Sequence, residues 1–252
     1  MELMDSIPLI TIVTVSYNAE ATIEKTILSV IQQTYSNIEY IIIDGNSFDK
    51  TISIIKKYEN YISYWISEPD KGVYDAMNKG IKIAHGDWIC FMNSGDTFHS
   101  SNVLNNIFTS TYYDQKIGVI YGDAHLYRNN QYIMPFSNQP FWKSYMPYRT
   151  GKGICHQSMF TRTVLAKQIQ FNLEYRISAD FDMAYKIYKL KYQFLYVPVV
   201  VCNFDTDGMS STGKHWKITF KETGKILKCR YNPGYWALFL YKLLKTRFLS
   251  RK

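Results

Sequence analysis

Apolar residues follow two rhythms along the first hundred positions. Short β-branched and apolar runs at 9–15, 39–43, 61–67 and 88–92 alternate with stretches at 19–33, 49–58 and 73–84. In the latter, apolar residues recur every three or four positions, as Ile23, Ile27, Val30 and Ile31 do, and Ile52 and Ile55. The runs suit strands buried on both faces, and the periodic stretches suit amphipathic helices. Strand and helix alternating through short links predict an α/β fold with a mostly parallel central sheet, right-handed crossovers and helices on both faces. Each strand stops in a polar cluster: Tyr17-Asn18, Asp44-Gly45-Asn46-Ser47, Glu68-Pro69-Asp70 and Asn93-Ser94-Gly95-Asp96. Parallel strands end on one edge, so these clusters are expected to meet around a crevice, where open α/β sheets bind ligands. Loops rich in Asp and Asn suit a polar, hydroxylated or phosphate-bearing ligand.

Beyond residue 100 the pattern is mixed. A helix is expected at 102–108, a strand at 118–123 and a hairpin at 124–134 around Arg128-Asn129-Asn130. Residues 135–148, rich in proline and aromatics, read as an ordered loop over a cleft, and 151–160 as a glycine-rich turn into a strand. Ser178 is placed to cap a helix running to 190, with Asp180 and Asp182 in its first turn, where acids suit the helix dipole. A strand at 193–201 and a flexible loop at 204–212, containing Asp205 and Asp207, complete this half.

Composition narrows the picture. The 252 residues, 46% of them hydrophobic, suffice for one large domain, or one domain and an appendage, with a sizeable core. Cys90, Cys155, Cys202 and Cys229 lack close spacing, which argues against a zinc site or disulfide scaffold and suits a reducing compartment. Neither a signal peptide nor an apolar stretch of membrane-spanning length is visible. No Gly-x-Gly-x-x-Gly follows the first strand and no Gly-x-x-x-x-Gly-Lys occurs, so a dinucleotide-binding Rossmann enzyme and a phosphate-cradling NTPase are both disfavoured. Phosphate would need a cation instead, and Asp96 could supply its ligand. The net charge of +8 is unevenly placed: residues 208–252 hold eleven Lys and Arg against one acid, Glu222, while the rest of the chain is slightly acidic. Residues 233–252 form an aromatic, basic helical pattern that suits an anionic membrane surface; a packed helix with a solvated basic face is the alternative.

Four stretches in order, LITIVTVSYN at 9–18, IIDGNSFD at 42–49, EPDKGVYDAMNKG at 68–80 and GDWICFMNSGD at 86–96, resemble the nucleotide-sugar half of family-two glycosyltransferases with the GT-A fold. The likeness is to bacterial members that build capsule, colanic-acid-like or O-antigen polysaccharides. HQSMF at 156–160 and ADFD at 179–182 resemble the acceptor half. The resemblance implies a GT-A domain over 1–207, with a nucleotide-sugar half at 8–100 and an acceptor half at 101–207; the charge pattern adds a basic, membrane-associating helical tail at 208–252. It further implies a hexosyl- or N-acetylhexosaminyltransferase, with a nucleotide-diphosphate sugar, expected to be a UDP-sugar, as donor and a lipid-linked glycan as acceptor. Such an enzyme works in the cytoplasm on the anionic inner-membrane surface, with no nucleic-acid partner.

By the same resemblance, Tyr17 and Asn18, with Glu20, would contact the nucleobase and ribose, and Asp44 would accept a hydrogen bond from the uracil edge or ribose. Asp75 and Asn78 would line the diphosphate and sugar region. Asp96 matches the last acid of the DXD-like motif that ligates Mn2+ or Mg2+, with Asn93 helping through its amide or a water. Asp180 matches the general base, and His156 could meet a donor phosphate or the acceptor. Two positions depart from the pattern. The DXD-like motif retains one carboxylate, and Ala179 stands where many members have Glu, which leaves Asp182 as an alternative base. An inverting transfer needs one carboxylate to accept the hydroxyl proton and a cation for the departing diphosphate, and these residue types supply both.

Plainer readings stay open. Asp44 could form an Asx turn, Asp180 and Asp182 could be ordinary helix-start acids, and His156 could be a core histidine. A non-catalytic nucleotide-sugar-binding module, or a nucleic-acid-binding protein acting through the basic tail, are the rival functions. The second leaves the four polar strand ends unexplained.

Overall fold

A computed structural model describes residues 7–108, 113–128, 131–137, 154–206, 216–229, 231–237 and 240. The continuous apolar runs become strands whose side chains alternate between two buried layers. From β1 (Ile10–Ser16), Ile10 and Ile12 enter one layer with Tyr40 and Ile42 of β2 (Ile38–Asp44) and Trp88 and Cys90 of β4 (Trp88–Phe91). Val13, Val15, Ile41, Ile43, Ile89 and Phe91 enter the other. Helices α1 (Ile23–Ile31), α2 (Thr51–Lys57) and α4 (Val103–Phe108) cover the first layer. Helices α3 (Val73–Ile83), α5 (Thr163–Ile169) and α6 (Ala179–Lys189) cover the second.

The strand order is β3-β2-β1-β4-β8-β6-β9-β5, with β7 paired to β6 off this path, along the same edge as β8. Strands β1, β2, β3 (Tyr64–Ser67) and β4 are parallel, as the alternating pattern predicts. The second half is mixed: β8 (Met159–Arg162) runs antiparallel between β4 and β6 (Ile117–Arg128). Strand β9 (Gln193–Asp205) runs parallel to β6, and β5 (Thr97–Phe98) and β7 (Gln131–Phe136) are antiparallel additions.

Several expected boundaries move. The third strand starts at Tyr64 because Glu59–Tyr61 winds into a 3-10 turn. The strand at 118–123 and the first arm of the hairpin form one strand, β6, paired with β7 up to Arg128↔Gln131. Helix α5 is an addition the apolar pattern did not announce. Strand β9 continues four residues past its expected end because Cys202 to Asp205 pair with Ala124 to Tyr127, so Phe204 and Asp205 belong to the sheet and not to a loop. Ser178 sits at the N-cap of α6, yet its hydroxyl makes no capping bond. Of the expected cleft-covering loop, 138–148 lies outside the described residues, as do 151–153 of the glycine-rich turn and 241–252 of the basic tail.

Within the stretch expected as a tail, α7 (Trp216–Ile226) packs on the domain. Ile226 enters the second layer, and Phe220 stacks on Tyr235 with ring centroids 4.0 Å apart. Among the described residues no helix is long and apolar enough to cross a membrane.

Helix α3 lies close on β1 because residue 80 is glycine: a Cβ there would stand 2.6 Å from a methyl of Val13. Val13 is fully buried in a β-strand and cannot swing away. Gly80→Ala is therefore expected to lower stability, overpacking at about 1–3 kcal/mol outweighing a helix-propensity gain of about 1 kcal/mol. Denaturant melts of Gly80→Ala, Val13→Ala and the double variant check this; the double variant should lose less than the sum of the singles.

Candidate active site

Register brings the polar strand ends together. Ser16, Asp44 and Ser67 lie side by side at the ends of β1, β2 and β3. Asp44 is fully buried, and its carboxylate accepts four hydrogen bonds, from Ser16 Oγ (2.8 Å), Ser47 Oγ (2.6 Å), Ser47 N–H (2.8 Å) and Ser67 Oγ (2.7 Å). These fill its acceptor positions, so Asp44 ties three strand ends and one loop into a fixed edge. The next loop is tied in turn. Asn18, with φ 46°, accepts from Phe48 N–H through Oδ1, and its own N–H donates to Ser47 Oγ. Glu20 accepts from Lys50 N–H at 2.9 Å at the start of α2. Tyr17 is exposed at the rim, edge-on to Phe48. Gly45 leaves room for Asp70 beside Tyr17: a Cβ at 45 would meet the Asp70 carboxylate at 2.5 Å.

The fourth strand end opens into a cleft of about 320 Å³ lined by Asn93-Ser94-Gly95-Asp96, Tyr74, His156, Gln157, Arg176 and Asp205, among others. Asp96 is 4% exposed. Its Oδ2 accepts from Gln157 Nε2 at 2.8 Å and its Oδ1 from Asp205 N–H at 2.9 Å, while Thr26 Oγ1 donates to its backbone carbonyl at 2.7 Å. Burial pushes its pKa up to about 7 against the pull of those donors.

His156 joins the cleft to α6. Its Nδ1 lies 3.5 Å from Asp180 Oδ2, and its Nε2 lies 3.2 Å from the Asn93 amide nitrogen. Burial pulls the imidazole pKa down, but the Asp180 carboxylate outweighs it and the net shift is upward. Asn93 can serve either protonation state: its amide nitrogen donates to a neutral Nε2, and its Oδ1, buried without a partner, accepts from a protonated one once the amide turns over. Tyr74 completes the corner, its hydroxyl donating to Ile177 O at 2.6 Å and lying 3.4 Å from Asp180 Oδ1.

Other expected site residues point elsewhere. Asn78 is buried, and both ends of its amide are used on the backbone of Phe171, at 2.8 and 2.9 Å. It fastens α3 to the segment after α5 and does not line the cleft. Asp75 accepts from Lys71 N–H at 3.0 Å in the first turn of α3. Asp182 lies two residues beyond Asp180, about 200° around the helix, and pairs with Lys186 at 2.7 Å; neither acid lines the cleft itself, and Asp180 is the one that meets the lining residues His156 and Tyr74.

Gln157, Asp205 and Arg176 were not among the residues expected here. Gln157 lay unmarked inside HQSMF, and Asp205 was hidden in an expected loop. The donor set suits a hard divalent cation. Asp96 keeps free lone pairs after its two hydrogen bonds, and Asp205 stands beside it. No preformed cluster of three or more His, Cys, Asp or Glu exists among the described residues, so a cation here would draw its other ligands from water and a bound diphosphate.

A parallel half with polar strand ends, a mixed half beside it and a polar cleft at their junction make the GT-A fold of glycosyltransferases. The fold is similar to that of S. aureus TarS 1-349 in complex with UDP-GlcNAc, with TM-score 0.68 and 17% identity over 86% of this chain and 66% of that one. It is also similar to mannosyltransferase PcManGT from Pyrobaculum calidifontis in complex with GDP-Man and Mn2+, with TM-score 0.67 and 18% identity over 93% and 73% of the two chains. Against a longer TarS chain the match spans 39% of that chain's length. The model for glycosyl transferase family 2 matches residues 11–169, and the chain belongs to that family. Relatives include an uncharacterised glycosyltransferase of Mycobacterium tuberculosis, 31% identical over 82% of this chain and 79% of the relative. Another is the amylovoran biosynthesis glycosyltransferase AmsB of Erwinia amylovora, 24% identical over 75% and 67%.

The raised pKa of Asp96 has a consequence for stability. The folded state holds this proton more tightly than the unfolded chain does, so stability falls as pH rises from about 4, the value of a free Asp, towards about 7. In EDTA, Asp96→Asn is expected to gain Tm relative to the unsubstituted chain at pH 8 but not at pH 4.5. A Tm difference that does not change with pH would show that Asp96 ionises in the fold without cost.

Proposed function

We propose that this glycosyltransferase is inverting, that it takes its sugar from a UDP-sugar, and that it delivers that sugar to a lipid-linked glycan in cell-surface polysaccharide synthesis. One observation carries the proposal: the cleft that Asp96 lines at a strand end of the first half is also lined by His156 of the second, and His156 reaches Asp180 at 3.5 Å. In this reading the donor lies along the strand ends, its nucleoside towards Tyr17 and Asp44 and its diphosphate towards Asp96. Asp44, already saturated, shapes the nucleoside edge, and Tyr17 offers an exposed ring. The acceptor hydroxyl enters between His156 and Asp180. Asp180 accepts its proton as the oxygen attacks the anomeric carbon and the bond to the diphosphate breaks. His156 orients Asp180 through the Nδ1 contact, and Tyr74 holds the backbone at Ile177. A Mn2+ or Mg2+ ion held by Asp96, with Asp205 as second acid, would when bound neutralise charge on the leaving diphosphate.

The relatives support a nucleotide-sugar donor and a place in polysaccharide synthesis. TarS is described with UDP-GlcNAc and PcManGT with GDP-Man; AmsB serves amylovoran biosynthesis. The eleven basic residues of 208–252 support peripheral attachment to the anionic inner leaflet, where a lipid-linked acceptor would be met.

Asp180→Asn is expected to abolish sugar transfer while leaving UDP affinity within about twofold, a loss of about 10² or more in turnover; wild-type turnover would move the base elsewhere. Asp96→Ala is expected to weaken UDP binding in Mn2+ or Mg2+ but not in EDTA, read by calorimetry; equal losses in both would remove Asp96 as a ligand. A chain ending at Ala237, which keeps Tyr235 on Phe220, should no longer sediment with vesicles containing anionic lipid. Persistent sedimentation would place the membrane contact elsewhere.

A further inference from the structure

Glu222 is the single acid among the last 45 residues of the chain, and it lies beyond the stretch that the family model matches. It is carried by α7 and points at the segment leading into α6. Its Oε1 accepts from Arg176 N–H at 2.8 Å, and its Oε2 accepts from Ile177 N–H at 3.1 Å and Ser178 N–H at 2.9 Å. Three successive backbone donors thus converge on one carboxylate, an anion-holding arrangement at the start of a helix. The hydroxyl of Ser178, which stands at the N-cap, makes no capping bond and is buried without a partner. The acceptor for these three N–H groups therefore comes from α7 and not from the adjacent Ser178 side chain.

The gripped segment matters to the cleft. Arg176 and Ile177 line it, and Asp180 follows two residues after Ser178. Tyr74 takes the same segment from the other side through Ile177 O. Helix α7 is itself seated by Ile226 in the core and by Phe220 stacked on Tyr235, so the carboxylate is presented from a fixed support.

We infer that Glu222 is a positioning residue: by holding the N–H groups of Arg176, Ile177 and Ser178, it sets where Asp180 stands against His156. This rests on the proposed role of Asp180 as base. Glutamine keeps the side chain's size but offers one acceptor oxygen to three donors, and its amide nitrogen faces an N–H. A base displaced by a fraction of an ångström loses rate without losing donor binding.

The test compares Glu222→Gln, Glu222→Asp and Asp180→Asn in the full chain. The readouts are Tm, UDP affinity, UDP release from UDP-glucose and UDP-N-acetylglucosamine, and amide exchange over 174–182. Glu222→Gln is expected to speed exchange at 176–178 about tenfold or more and to lower turnover about tenfold or more, with UDP affinity unchanged. Glu222→Asp, which keeps the charge, should recover part of both. Unchanged exchange or unchanged turnover overturns the inference. So does a parallel loss of UDP affinity and folding in both Glu222 variants, which would make the residue one of general stability. An active Asp180→Asn variant counts against Asp180 as the base, and a parent chain that releases UDP from neither sugar counts against the UDP-sugar reading. The exchange measurement still decides whether Glu222 holds the segment.

Discussion

The buried carboxylate of Asp96 is the constraint on which the cleft depends. A charge-bearing group at 4% exposure is tolerated only when its oxygens find donors. Those donors are Gln157, which leads into β8, and the backbone of Asp205, at the end of β9. Both belong to the second half of the chain, so satisfying one polar atom pair fastens the two halves together at the strand ends. Thr26 on α1 adds a third tie through the Asp96 carbonyl. The cleft exists because these ties bring Asn93 to Asp96 against His156 and, behind it, Asp180.

Three carboxylates along this edge differ in what surrounds them. Asp44 has every acceptor position filled by three serines and a backbone N–H, so it acts as a structural knot. Asp96 is buried, which raises its cost as an anion, and its two donors offset only part of that while leaving lone pairs for a cation. Asp180 stands at a helix start, bonded to Phe181 N–H and close to His156 and Tyr74, both of which line the cleft. Residues of the same chemical type are thus sorted by the number of donors each one meets.

Much of this was legible in the chain. The four polar strand ends and their meeting on one edge follow from the alternation of buried runs and helical stripes, because parallel strands must end together. Asp96, His156 and Asp180 could be named as candidates from the motifs that hold them. Asn78 and Asp182 could not be sorted from their neighbours in that way. Each sits in the right stretch, but the direction of its side chain depends on helix rotation and on Phe171 and Lys186 lying nearby. Asp205 was misplaced because the pairing that extends β9 to it comes from β6, some eighty residues earlier.

The sequence by itself determined the layered α/β architecture and the crevice at the strand ends, since both follow from local periodicity and from where apolar runs stop. Only the tertiary structure decided which polar residues face that crevice and which are spent on holding it. Hydrogen bonds between distant segments make that choice: Asp96 to Gln157 and Asp205, Asn78 to Phe171, Glu222 to the start of α6. None of these pairs is close in sequence, so no local pattern encodes them; for Asp96 and Asn78, burial leaves the group no water to bond instead.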